Sequence, residues 1–240
     1  LQTFRSLVRP GWSEGIRAEL KWFAAVLGEA RDADVLMDRM VANLAQVGGS
    51  AAGRHALLQR LAREREDAQA RLHVALADAR HARLLEALSA AAREPVLAAH
   101  ADDPARDVLP GLAAKPWGRL QGAVQRLGEV PPDPELHDVR IRAKAARYAA
   151  EAVVPVAGAP ARRYAEAVAG VQESLGDYHD AVVAREWLQR AAGSIRRGGT
   201  LLIRALDERE CVRGAEALAA WRPAWKLASR KQLRSWMSNG

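Results

Sequence analysis

Cysteine is all but missing: Cys211 is the only one in 240 residues. That excludes an internal disulfide and a thiolate-clustered metal site, and it fits a reducing, cytoplasmic compartment. Long apolar runs are missing too, so nothing reads as a bilayer-spanning helix, and no leading apolar segment of signal type opens the chain. A soluble protein is the expectation. Aromatic residues make up 5% of the chain, with two Phe and three Tyr beside seven Trp. The core therefore has to come mostly from Ala, Leu and Val, a composition suited to closely packed helices. No Gly-rich phosphate loop of the P-loop or dinucleotide kind is present, and no serine sits in a nucleophile elbow.

What is abundant is positive charge. Lys and Arg number 36 against 29 Asp and Glu, a formal +7 with a pI near 10.1, so polyanions are the natural partners. The length suits one large domain or two small ones. Residues 1–9 read as the last turns of a helix already under way, ended by Pro10-Gly11. Ser13, with Glu14 and Glu19 nearby, opens the next helix, which continues past Gly28 as either a close-packing point or a slight break. Gly48-Gly49-Ser50 is a loop, and residues 52–93 read as a long helical arm broken near Asp78, its Arg60–Asp67 face solvated. Residues 100–111 read as a linker and Trp117–Leu127 as a short helix. Gly198-Gly199-Thr200 resets the chain for a helix through Leu201 and Leu206.

Residues 135–151 carry the most information. Read as a helix, they place His137, Arg140, Lys144 and Arg147 within a sector of about 80°, along about 15 Å of axis. That is the spacing of a core stripe, yet here it is cationic and nearly free of acidic companions until Glu151. Val139, Ala143, Ala146, Ala150 and Val153 form a separate small-residue stripe for packing. Arg142 lies off the cationic row, and Tyr148 beside it offers a hydroxyl. A helix presents donors about once per turn, which suits successive phosphates: Lys as a point charge, Arg as a fork, His as a donor strengthened by protonation.

The second half of the chain repeats the first. Leu27-Gly28-Glu29-Ala30-Arg31-Asp32-Ala33-Asp34-Val35 aligns with Leu175-Gly176-Asp177-Tyr178-His179-Asp180-Ala181-Val182-Val183 at an offset of 148 residues, with five of nine positions identical. Arg31 and His179 are therefore equivalents, and Lys21 falls on nearly the same face as Arg31. By the same offset the partner of the basic helix is expected immediately before Leu1, with Arg5 its last stripe residue. Near the C-terminus, Arg222, Lys226, Arg230 and Arg234 recur at four-residue steps beside Trp221, Trp225 and Leu233, and Lys226 and Arg230 join the expected electropositive surface. A membrane-binding or calmodulin-type role for that basic segment is the weaker reading.

Two other chemistries compete. His137-Asp138 and His179-Asp180 are the His-Asp dipeptide of one class of helical metal-dependent phosphohydrolases, but a cationic row opposes a divalent metal, so no catalytic residue, metal or cofactor is assigned. Non-specific nucleic-acid binding is the nearer alternative, although the row lacks interleaved aromatics for stacking bases and Asn or Gln for reading their edges.

At His137-Asp138-Val139-Arg140-Ile141-Arg142-Ala143-Lys144-Ala145-Ala146-Arg147-Tyr148, and at the duplicated Leu-Gly turns ending in Arg31-Asp32 and His179-Asp180, the sequence resembles the CHAD family, the conserved-histidine α-helical domain. The resemblance implies an all-α fold: two four-helix bundles related by a pseudo-twofold, with long helical hairpins and a central basic channel that binds inorganic polyphosphate without catalysis. On that reading residues 1–112 form the first repeat, lacking its basic helix, and 113–240 the second, together one domain. It also implies association with a CYTH-type triphosphatase or with proteins of cytoplasmic polyphosphate granules. No CYTH-like acidic tunnel sequence is present, so the chain reads as a stand-alone binding domain or a fragment.

Overall fold

The computed structural model describes residues 2–193 and 199–238, and these are helical with short connections. The helices are α1 (Trp12–Leu44), α2 (Ala51–Ala77), α3 (Ala79–Arg93), α4 (Ala105–Arg126), α5 (Asp133–Ala157), α6 (Ala159–Ala192), α7 (Thr200–Ala228) and the one-turn α8 (Lys231–Arg234). Among the described residues the only extended pairing is an isolated bridge between Val8 and Leu97. No helix among them is long and apolar enough to cross a membrane. The all-α expectation holds.

Several connections differ from the sequence reading, each for a local reason. Residues 2–9 do not end a helix: a 3-10 turn, Arg5–Leu7, precedes the bridge at Val8. Gly11, not Ser13, caps α1, at φ 81°, a left-handed conformation that only glycine adopts without strain. Ser13 is buried inside the first turn. Gly28 is neither a break nor a close-packing point, because α1 runs through it and a Cβ there would meet nothing within 4 Å. The break at Asp78 is real: its backbone is extended and its carboxylate accepts from Arg80 N–H at 2.7 Å, capping α3.

Most of the expected linker is helix. Ala99–Asp102 form a 3-10 turn, and α4 starts at Ala105 directly after Pro104, with Pro110 and Pro116 inside it, both buried. Their missing N–H groups cost the helix hydrogen bonds, which the burial of α4 offsets. The C-terminal basic segment is not one helix either: α7 carries Trp221 and Trp225, stops at Ala228, and hands over through Arg230 to α8. Gly198 lies outside the described residues, while Gly199 and Thr200 lead into α7.

Compactness divides the chain differently from repetition. One unit comprises Leu1–Leu7, Ala99–Ala181 and Val212–Gly240; the other comprises Val8–Ala98 and Val182–Cys211. In the second unit Met40, Leu44, Leu57, Leu61, Trp187, Leu188, Leu202 and Leu206 make the core. A fully buried Glu210 is satisfied there by Asn43 and by Arg39, whose Nε donates at 2.7 Å. Trp187 Nε1–H donates to Glu64 at 2.7 Å, so Glu64 of the expected solvated face ties α2 to α6. Arg80 joins α3 to α1, donating to Glu19 and lying 4.1 Å over the Trp22 ring.

The first unit holds α4, α5, most of α6, the end of α7 and α8. Its core is alanine- and valine-rich, as the composition suggests, but it is built around aromatics: Trp117 stacks on Trp225 at 5.2 Å and meets Tyr164 edge-on at 6.0 Å. The Tyr164 hydroxyl is buried with no hydrogen-bond partner among the described residues, and burial pushes its phenol above the ordinary value near 10. The folded chain thus keeps this proton to higher pH than the unfolded chain. Its contribution to stability is intact below about pH 10 and is lost as pH rises further. Tyr164→Phe removes both the orphaned hydroxyl and that loss. Urea unfolding is expected to show equal or up to about 1 kcal/mol greater stability at pH 7 and a shallower decline above pH 10; an unchanged alkaline decline would contradict this.

Candidate anion-binding face

Helix α5 is anchored at both ends by local chemistry. Pro134 occupies its first turn, where a missing N–H is harmless, and Asp133 and Glu135 sit at the positive end of its dipole. At the other end Gly158, at φ 64°, allows the chain to turn into α6 within one residue. Leu136, Val139, Ala143, Ala146, Ala149, Ala150 and Val153 are all buried, including every member of the expected packing stripe. The azimuth of α5 is thereby set, and the cationic row is left on the opposite side.

That row does not behave as four equal charges. His137 and Arg140 are half-buried against α6. The His137 ring lies 4.6 Å from the His179 ring, tilted by 45°. Arg140 Nε is 3.6 Å from the point a Cβ on Gly176 would occupy, so the guanidinium lies against the Gly176 turn of α6. Tyr178 donates its hydroxyl to Asp133, fastening the His179 turn to the start of α5. The Gly176–His179 motif and the basic helix, separate in sequence, are one site in space.

Within it, His137 Nδ1 and Arg140 Nε are shielded from solvent and meet no hydrogen-bond partner among the described residues. Gln172 Oε1, one turn before Gly176 on α6, is in the same condition. A buried polar atom left unsatisfied costs about 1–3 kcal/mol, so a ligand that brings acceptors to the imidazole and guanidinium recovers energy the fold leaves unspent. Gln172 gave no signal in the sequence, because a lone Gln in an alanine-rich helix has no motif; its spacing from Gly176 is the one clue.

The other two cations differ. Arg147 donates to Glu151 at 2.7 Å, and that hydrogen bond, followed by the charges of Glu151, Tyr148 and Glu173, raises its affinity for its proton above the usual guanidinium value. Acidic company therefore reaches the row at its C-terminal end. Lys144 is exposed and has no ion pair among the described residues; its Nζ stands 5.8 Å from the half-exposed Tyr148 ring. Asp138, which the His-Asp reading needs as a metal ligand, is instead held by Arg142 at 2.7 Å. No group of three or more His, Cys, Asp or Glu among the described residues is placed to hold a metal ion.

Of the remaining expected residues, Arg5 is exposed in its 3-10 turn, Lys226 is exposed in the last turn of α7, and Arg230 precedes α8. All three belong to the α5 unit, but their alignment with the row rests on sequence spacing. Lys21 and Arg31 are exposed on α1 in the other unit.

Among the described residues the chain is thus helical throughout, with an imidazole pair beside a cationic helix face. The CHAD domain family matches residues 1–189, and the chain belongs to that family. Two Mycobacterium tuberculosis proteins, from two strains, are each 32% identical over 187 residues, which is 75% of this chain and 35% of each relative. The chain thus spans about a third of the length of those relatives. Among solved structures, PptA from Streptomyces chartreusis superposes with a TM-score of 0.80 at 25% identity, covering 94% of this chain and 84% of that one. The CHAD domain of the plant Ricinus communis gives 0.55 at 25% identity, covering 99% and 75%.

The space beside Gly176 generates a test. A methyl group at 3.6 Å from Arg140 Nε is in ordinary contact, and Ala outranks Gly in a helix interior, so Gly176→Ala is expected to raise stability by about 0.5–1 kcal/mol in urea unfolding. A loss of stability would mean that the guanidinium sits closer to α6 than this.

Proposed function

We propose that the chain binds inorganic polyphosphate without chemical turnover, on the face formed by His137, Arg140 and Lys144 of α5 with His179 of α6. The observation that carries this reading is the pair of shielded nitrogens, His137 Nδ1 and Arg140 Nε, beside a second imidazole and without a hydrogen-bond partner among the described residues. A phosphate chain offers acceptor oxygens at short, regular intervals and needs no base-reading group, whereas sequence-specific nucleic-acid binding would require edge recognition that this row does not supply. Membership of the CHAD family supports the same ligand. Association with a CYTH-type triphosphatase or with granule proteins, and a place at cytoplasmic polyphosphate granules, extend the proposal.

Each exposed contact is screened over about 8 Å at physiological salt, so affinity has to come from several contacts at once. Losing two cations at about 1 kcal/mol each corresponds to roughly 30-fold. The Arg140→Ala, Lys144→Ala double variant is expected to bind long-chain polyphosphate about 30-fold or more weakly, with helicity by circular dichroism unchanged. Its dependence of log K on log salt is expected to flatten by about 1–2. Parent-like affinity in the double variant would show that this face is not the site.

A further inference from the structure

The opposite flank of α5 carries a second cationic feature that the row does not include. Between α4 and α5 lies a cleft of about 530 Å³, a volume within the usual range for small-molecule sites. Lys115 and Arg119, one turn apart on α4, line one wall; Arg142 and Lys144 line the other. Asp138, paired with Arg142 at 2.7 Å, is the only acidic group of the lining among the described residues, and three cations exceed its charge there. Lys115 and Arg119 are exposed and have no ion pair among the described residues.

Charge is only half of its character. Ile141, Ala145 and Tyr148 recur at four- and three-residue steps along α5, forming an apolar ridge on the same cleft. Ile141 and Tyr148 are each 51% exposed, and Pro116 adds an apolar ring from α4. A plain phosphate chain makes no use of such a ridge. A ligand with several negative charges at one end and a flat apolar ring at the other uses both walls, and the Tyr148 ring, with Lys144 Nζ 5.8 Å from its centroid, is placed to stack on one.

We infer that the α4–α5 cleft is a site for a nucleoside polyphosphate, its phosphates on Lys115, Arg119 and Lys144 and its base against Tyr148 and Ile141. The site shares Lys144 and Tyr148 with the neighbouring row but takes its distinctive cations from α4. Lys115 and Arg119 lie outside the face proposed for polyphosphate, so substituting them separates the two proposals.

The test compares ATP with inorganic tripolyphosphate by calorimetric titration in metal-free, low-salt buffer, on the full chain and on its Lys115→Ala, Arg119→Ala variant. Tripolyphosphate carries at least as much charge as ATP, so pure electrostatics cannot favour ATP. A base contact predicts ATP tighter by roughly ten-fold. The double variant is expected to lose at least roughly ten-fold in ATP affinity while changing its affinity for long-chain polyphosphate by less than about three-fold. Both substituted side chains are exposed, and circular dichroism confirms the fold of the variant. ATP binding no tighter than tripolyphosphate, or unaffected by the double substitution, overturns the inference. ATP behaving as expected on a chain that does not bind long polyphosphate upholds it while removing the proposal for the α6 flank.

Discussion

Everything at this face depends on one constraint: the small-residue side of α5 is committed to the core of its unit. Ala143, Ala146, Ala149 and Ala150, with Val139 and Val153, have essentially no exposed surface. Unwinding α5 to spread its cations would expose those groups at about 0.8 kcal/mol for each methylene-sized portion. Two unit charges about 6 Å apart repel by about 0.7 kcal/mol in water and about 3 kcal/mol at an effective dielectric constant of 20. The packing of one helix face is therefore enough to hold the other face's charges together. On the proposed function, a polyanion would meet charges already assembled, with the ordering cost met during folding.

The second contribution comes from α6. By itself, a row of cations on a helix is a solvated surface; what distinguishes this one is that His137 and Arg140 lean on the Gly176–His179 turn, where His137 Nδ1 and Arg140 Nε are shielded from water without a hydrogen-bond partner among the described residues. The Gly176 turn lies against Arg140, His179 adds a second ring, and Tyr178 a tether to Asp133. The row thereby splits into members with different roles. His137 and Arg140 have unmet hydrogen-bonding capacity, Lys144 is an open point charge on the crest, and Arg147 is already occupied by Glu151.

The periodicity of residues 135–151 made both faces of α5 legible, because 3.6-residue spacing assigns each side chain to a sector without reference to any other helix. Residue repetition likewise joined Gly176 and His179 to Gly28 and Arg31. Burial did not follow from that repetition: Leu175 is 1% exposed, against 48% for its equivalent Leu27, because in its unit α5 lies over the Leu175 face. Among the described residues, the α1 unit contains no helix with the α5 pattern. The α4–α5 cleft was hidden for another reason. Pro104 and Pro110 make residues 100–111 read as linker, and the short helix reads as starting only at Trp117, so Lys115 was never placed beside Arg119 on one helix face. Local propensity spoke against α4, and tertiary burial overrode it.

The central claim is that the two imidazoles and Arg140 meet phosphate directly. Side-chain NMR of the imidazoles during titration with polyphosphate reads this most directly, because the chain has only six histidines and His55 and His73 sit exposed on α2 as internal controls. Saturable shifts of the His137 and His179 ring resonances, with those of His55 and His73 unmoved, are the expected result. Polyphosphate that binds while both rings keep their free-state resonances would contradict the account.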